Sequence, residues 1–120
     1  MIVGSYRDGH PRIALNLPGA AGMMSVEFIV DTGFDGDLCV PETVARQLDA
    51  VSAGRANFLL ADGSWTDCPR LELPLDWNED QRIIEVLVLE GNPLFGTHLL
   101  EGNQFQAEAT EGGEVLIEPL

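Results

Sequence analysis

Asp31, Thr32 and Gly33 follow directly on the apolar run Phe28-Ile29-Val30. A carboxylate at the end of such a run is partly desolvated, and a glycine two places on lets other groups approach the backbone closely. Proton transfer, or the holding of a polar ligand, is the chemistry that such a carboxylate offers. An ordinary aspartate in a turn after a strand has the same three letters. With Asp35, Asp37 and Glu42, the residues Asp31 and Gly33 also fall on the first, third, fifth, seventh and twelfth places of a calcium-binding loop, with Gly36 at the sixth. Against that reading, the third place is glycine, and the segment entering the loop has the pattern of a strand rather than a helix. His10 and His98 are isolated, so no metal site or Ser/His pair is expected. Ser5, Ser25, Ser52 and Ser64 lack the setting of a nucleophile elbow. No Gly-rich phosphate loop is present, and no cofactor is implied. Cys39 and Cys68 lie in apolar surroundings without metal-ligand spacing; buried free thiols are expected, with a disulfide as the alternative.

The elements that must position these residues read as short strands. Ile13, Leu15 and Leu17 alternate on one face, as do Met24, Val26, Phe28 and Val30, with Pro18-Gly19 marked as the turn between them. Asn57 to Leu60 and Trp65 to Leu75 flank Asp62-Gly63, a hairpin signal. Ile83 to Leu89 reads as a central strand, and Gly112-Gly113 turns a final hairpin ending at Leu120. Only two short helices fit. One begins with Pro41 as its first helical residue and shares a face through Val44 and Leu48; the other has Thr97 as N-cap and ends at Gly102. A short internal likeness links Val26–Gly33 with Glu85–Gly91 and the residues up to Thr97: apolar strand, acidic residue, glycine, loop, helix. That order is compatible with a pseudo-twofold relation between the two units.

The whole chain is expected to form a single all-β domain over residues 1–120, a length that supports one hydrophobic core. Its net charge is −14, with six arginines and no lysine. Such a surface repels phosphate backbones and anionic lipid, so neither nucleic acid nor membrane is expected as a partner. No apolar run approaches the roughly 18 residues of a membrane span, and the first residues lack the plan of a signal peptide, which predicts a cytoplasmic protein.

Asp31-Thr32-Gly33, its apolar lead-in, and the later Pro93-Leu94-Phe95-Gly96-Thr97-His98-Leu99-Leu100 together resemble the retropepsin-like aspartic proteases, in particular short bacterial one-lobe members. The resemblance covers roughly residues 10 to 120. It implies a closed barrel of short strands with one or two short helices, in which the Leu94-Phe95-Gly96 segment packs behind the Asp31 loop. It implies an aspartic endopeptidase. Because the chain has one such triplet, the water-activating pair of aspartates would form only across a homodimer acting on a peptide or protein substrate. In that scheme Asp31, Thr32 and Gly33 are catalytic, while Phe34, Asp35 and the hairpin residues Ala61, Asp62 and Gly63 bind substrate. An inactive domain of the same fold, serving in dimerisation or peptide binding, is the alternative.

Overall fold

The computed structural model describes all of Met1–Leu120. Its strands are β1 (Ile2–Arg7), β2 (His10–Gly19), β3 (Gly22–Val30), β4 (Leu38–Val40), β5 (Val51–Leu59), β6 (Trp65–Trp77), β7 (Asp80–Val88), β8 (Leu94–Phe95), β9 (Asn103–Ala107) and β10 (Glu114–Pro119). Two helical turns complete it, α1 (Glu42–Ala45) and α2 (Thr97–Leu100). All strands belong to one mixed sheet of ten strands in the order β5-β6-β7-β4-β8-β3-β2-β1-β10-β9.

That order corrects the expected architecture. The end strands β5 and β9 do not pair with each other, so the sheet is open and is not a retropepsin-like closed barrel. The end strands show why an edge can remain unpaired. The β5–β6 register shifts between Ser52 and Arg55, where Gly54 has φ +91°, and a bulge of this kind twists an edge away from a partner strand. At the other end β9 spans only five residues.

Alternation drives the strands as the sequence predicts. Ile13, Leu15 and Leu17 are buried with Val26, Phe28 and Val30, and they share a core with Leu73, Leu75 and Trp77 of β6 and Val115 and Ile117 of β10. The turn between β2 and β3 is Ala20-Ala21, two residues later than Pro18-Gly19 marks it; Gly19 pairs with Gly22 across it. Pro18 is accommodated because residues two apart on a strand direct their backbone groups to the same side. Leu17 and Gly19 face β3, so the missing N–H of Pro18 lies on the other side. Each helix is one turn long. Pro41 is the N-cap of α1 rather than its first residue, and Gly96, not Thr97, caps α2.

The central strands carry the internal likeness noted in the sequence. β4 runs parallel to β7, β8 runs parallel to β3, and β4 and β8 pair antiparallel between them. Exchanging the unit β3–loop–β4–α1 with β7–loop–β8–α2 preserves this pattern. The loops that follow β3 and β7 carry Asp31 and Glu90, and both residues border one cleft. No helix is long and apolar enough to cross a membrane.

Candidate functional site

Asp31 stands at the end of β3, partly buried. Its N–H donates to the Phe95 carbonyl at 2.9 Å, which fastens the start of the loop to β8. Its Oδ1 accepts the Gly33 N–H at 2.9 Å, and its carbonyl accepts the Phe34 N–H at 3.1 Å. The loop is therefore a tight turn closed by its own aspartate.

Behind the loop lies the segment that the sequence linked to it. The N–H groups of Gly96, Thr97 and His98 donate to the carbonyls of Asp37, Phe34 and Gly36 at 2.9, 2.8 and 3.2 Å, and the Thr97 hydroxyl adds a 3.2 Å bond to the Phe34 carbonyl. The backbones approach so closely that a Cβ on Gly96 would sit 2.1 Å from the Gly36 oxygen. Only glycine fits there.

In front of the loop is a cleft of about 570 Å³. Asp31 and Thr32 form one wall, Phe58 and Leu60 of the β5–β6 hairpin a second, and Leu89 and Glu90 after β7 a third. Two carboxylates thus share a partly apolar space, which His10 and Asn92 also line and no arginine does. Glu90 was noted in the sequence only as part of the internal repeat.

The remaining candidate residues are placed differently. Gly33, Phe34, Asp35, Ala61, Asp62 and Gly63 do not line the cleft. Phe34 is buried in a small cluster with Cys39, Cys68 and Leu87, its ring 5.5 Å from that of Phe58; it supports the cleft wall from beneath. Asp35 borders a shallow depression with Thr97 and His98. Asp62 organises the hairpin tip: its Oδ1 accepts the Ser64 hydroxyl at 2.6 Å and the Ser64 N–H at 2.8 Å. These bonds hold its carboxyl below the ordinary 3.8. Trp65 is exposed at the hairpin.

Sequence reading overlooked Asp37, assigned only to the calcium register. It is the one buried charged side chain. Its Oδ2 accepts the Glu85 N–H at 3.0 Å, its Oδ1 meets His98 Nδ1 at 2.6 Å, and Arg82 lies 4.0 Å away. The carboxylate ties the end of the Asp31 loop to β7 and α2. A signal was available, in that Asp37 directly precedes the fully apolar Leu38-Cys39-Val40. The calcium reading is corrected by the same geometry: Asp37 is occupied by protein donors, and no group of three or more His, Cys, Asp or Glu side chains converges to hold a metal ion.

Cys39 and Cys68 are both buried free thiols. Cys39 on β4 stands opposite Leu87, and Cys68 on β6 lies two residues before Arg70, the partner of Leu87 on its other side, so β7 runs between them. Two strand spacings amount to about 9.6 Å, beyond the roughly 7 Å limit for a disulfide. Burial, with the Cys68 thiol beside it, pushes Cys39 from 9.0 up to about 11.

Comparison with family models, with curated proteins and with solved structures returns no match to this chain. The aspartic-protease reading is corrected accordingly. The sheet is open rather than the closed, dimer-forming barrel, and Asp31 is the only aspartate lining the cleft. No Asp–Asp pair is present to activate water, which removes the basis for assigning endopeptidase activity or a homodimer built around it. The alternative of an inactive domain of that same fold is removed with the barrel.

Proposed function

We propose that the cleft is a binding site for an extended segment of a partner protein, apolar along most of its length and carrying one arginine or lysine. The observation that carries this reading is the presence of both Asp31 and Glu90 on a cleft whose apolar lining includes Phe58, Leu60 and Leu89, with His10 as its one basic side chain and no arginine. A carboxylate beside apolar walls is less screened than one in open water and favours a cation that brings its own apolar flanks. The acidity of the whole chain, −14, adds a long-range attraction for basic segments.

In this reading residues 1–120 act as one domain. Thr32 presents main chain to the bound segment, Gly33 holds the Asp31 turn closed behind it, and Phe34 acts through Phe58. Asp35 and the hairpin residues Ala61, Asp62 and Gly63 meet only a segment long enough to leave the cleft. The two buried thiols support a cytoplasmic setting.

The test is a titration of the isotopically labelled protein with the peptide Val-Leu-Arg-Val-Leu, followed by amide shifts at Thr32, Leu89 and Gly91. Asp31→Asn and Glu90→Gln should each weaken binding about tenfold, roughly 1.4 kcal/mol for a lost charge-assisted contact. A peptide with glutamate in place of arginine that binds equally well would refute the reading.

A further inference from the structure

A second groove, of about 930 Å³, lies between β2 and the end of β6. It arises because β1 leaves β2 early. β1 pairs with β2 only through Ser5–Arg12, Tyr6–Pro11 and Arg7–His10, and its residues Ile2, Val3 and Gly4 pair with β10. β2 continues to Gly19 with β3 on one side and no strand on the other. At the far end the edge is occupied again: the Pro18 carbonyl accepts the Asp49 N–H at 2.9 Å, and the Ala20 N–H donates to the Gln47 carbonyl at 2.9 Å.

Between these limits is a short window of open edge. Ile13, Leu15 and Leu17 face Phe28, Val26 and Met24 of β3. Counting from the Gly19–Gly22 turn pair, they direct their N–H and C=O groups to β3, so Ala14 and Asn16 direct theirs outward. None of the loop and cap hydrogen bonds reaches Ala14 or Asn16, and both border the groove.

The other wall is β6. Its pairing with β5 begins at Glu72, so Leu73 to Trp77 have no strand on that side. Pro74 has no N–H to offer, which blunts this edge and leaves β2 as the one able to pair. The groove floor includes Leu15, Leu75, Trp77 and Ile117; Asp76 and Glu79 are its charged side chains, Met1 with its α-amino group is at its border, and no arginine or histidine lines it. The buried indole N–H of Trp77 has no acceptor within the fold.

We infer that this window is a strand-addition site, distinct from the cleft, which takes an extended segment of a partner protein with alternating apolar and basic residues. An added strand beside β2 gains main-chain hydrogen bonds at Ala14 and Asn16, and every second side chain faces the apolar floor. Charge selects the occupant. Asp76 and Glu79 attract lysine or arginine, whereas a second copy of this chain, with no lysine and a net charge of −14, meets like charge.

The test uses the full chain, isotopically labelled, and the capped peptide Lys-Val-Lys-Val-Lys-Val. At saturation the amides of Ala14 and Asn16 should shift and their hydrogen exchange should slow at least tenfold. Asn16→Pro removes one outward N–H and should weaken binding at least tenfold. Should that variant not fold, N-methylating alternate residues of the peptide makes the same test on the unaltered protein: one of the two methylation registers should abolish binding and the other should not. The inference is overturned if Ala14 and Asn16 are unmoved at millimolar peptide, if only cleft amides respond, or if a Glu-Val peptide binds as tightly. It is also overturned if the protein alone self-associates with the same protection, since the occupant is then a second copy. The two sites are told apart by which amides move, so failure at one leaves the other reading standing.

Discussion

Asp37 is withdrawn from water, and it keeps its charge in company by meeting the Glu85 N–H and the His98 ring. Replacing it with alanine leaves the part-buried Glu85 N–H without its acceptor and frees the exposed His98 ring to water. Asp37→Ala should therefore lower unfolding free energy by about 3 kcal/mol in urea titration, whereas Asp35→Ala, at an exposed site, should change it by less than about 0.5 kcal/mol. Gly96 sets a second constraint at this scale. Its backbone contact with Gly36 admits no side chain, so Gly96→Ala forces the Asp31 loop off α2 and should cost at least about 2 kcal/mol, with amide shifts at Thr32 and Gly33. Cys39 makes a pH-dependent contribution. Its thiol ionises near 9.0 when unfolded and near 11 when folded, so the unfolded state releases a proton first and stability falls as pH rises from about 9 to about 11. Thermal melts across that range should show the fall, and Cys39→Ala should reduce it, leaving only the part due to Cys68, whose thiol is also raised by burial.

Among the elements, the β5–β6 hairpin is built unevenly. Phe58 and Leu60 turn toward the cleft, while Leu59 and Trp65 stand opposite each other in register and are exposed. Its tip depends on one carboxylate, Asp62, hydrogen-bonded to Ser64. The Asp62 carboxyl is held below 3.8, so the order it confers is complete above that pH and is lost as pH falls through its lower folded value. Hydrogen exchange at Gly63 and Ser64 should accelerate there, relative to Val86 in the core, and Ser64→Ala should bring the loss to higher pH. The hairpin itself was legible from Asp62-Gly63 between two alternating runs. The final hairpin was legible from Gly112-Gly113, with β9 as its first arm; β4 and β8 were not, because they span only three and two residues and runs that short carry no period. Their pairing is decided by neighbours far along the chain.

For the whole molecule, the decisive feature is an open sheet that still encloses one core. Residues of β2, β3, β6 and β10 pack in a single cluster although β5 and β9 never meet. A groove lies between the unpaired parts of β2 and β6, and the cleft lies elsewhere, between the loops after β3 and β7. The sequence by itself determined the alternating strands, the buried faces, the two helical turns, the association of Asp31 with Leu94-Phe95-Gly96, and the order shared by Val26–Gly33 and Glu85–Gly91. Each of these follows from local period, turn chemistry or a short motif. Only the tertiary structure decided that Asp31 and Glu90 line one cleft, that the sheet stays open, that Phe34 lies beneath the cleft instead of lining it, that Asp37 is buried, and that β2 keeps a free edge at Ala14 and Asn16. Closure depends on whether two strands at opposite ends of the chain's pairing order reach each other, and side-chain alternation is the same on a strand in either case. A motif could therefore name the loop, but the fate of the edges, which sets what the molecule can bind, was decided by long-range register and twist.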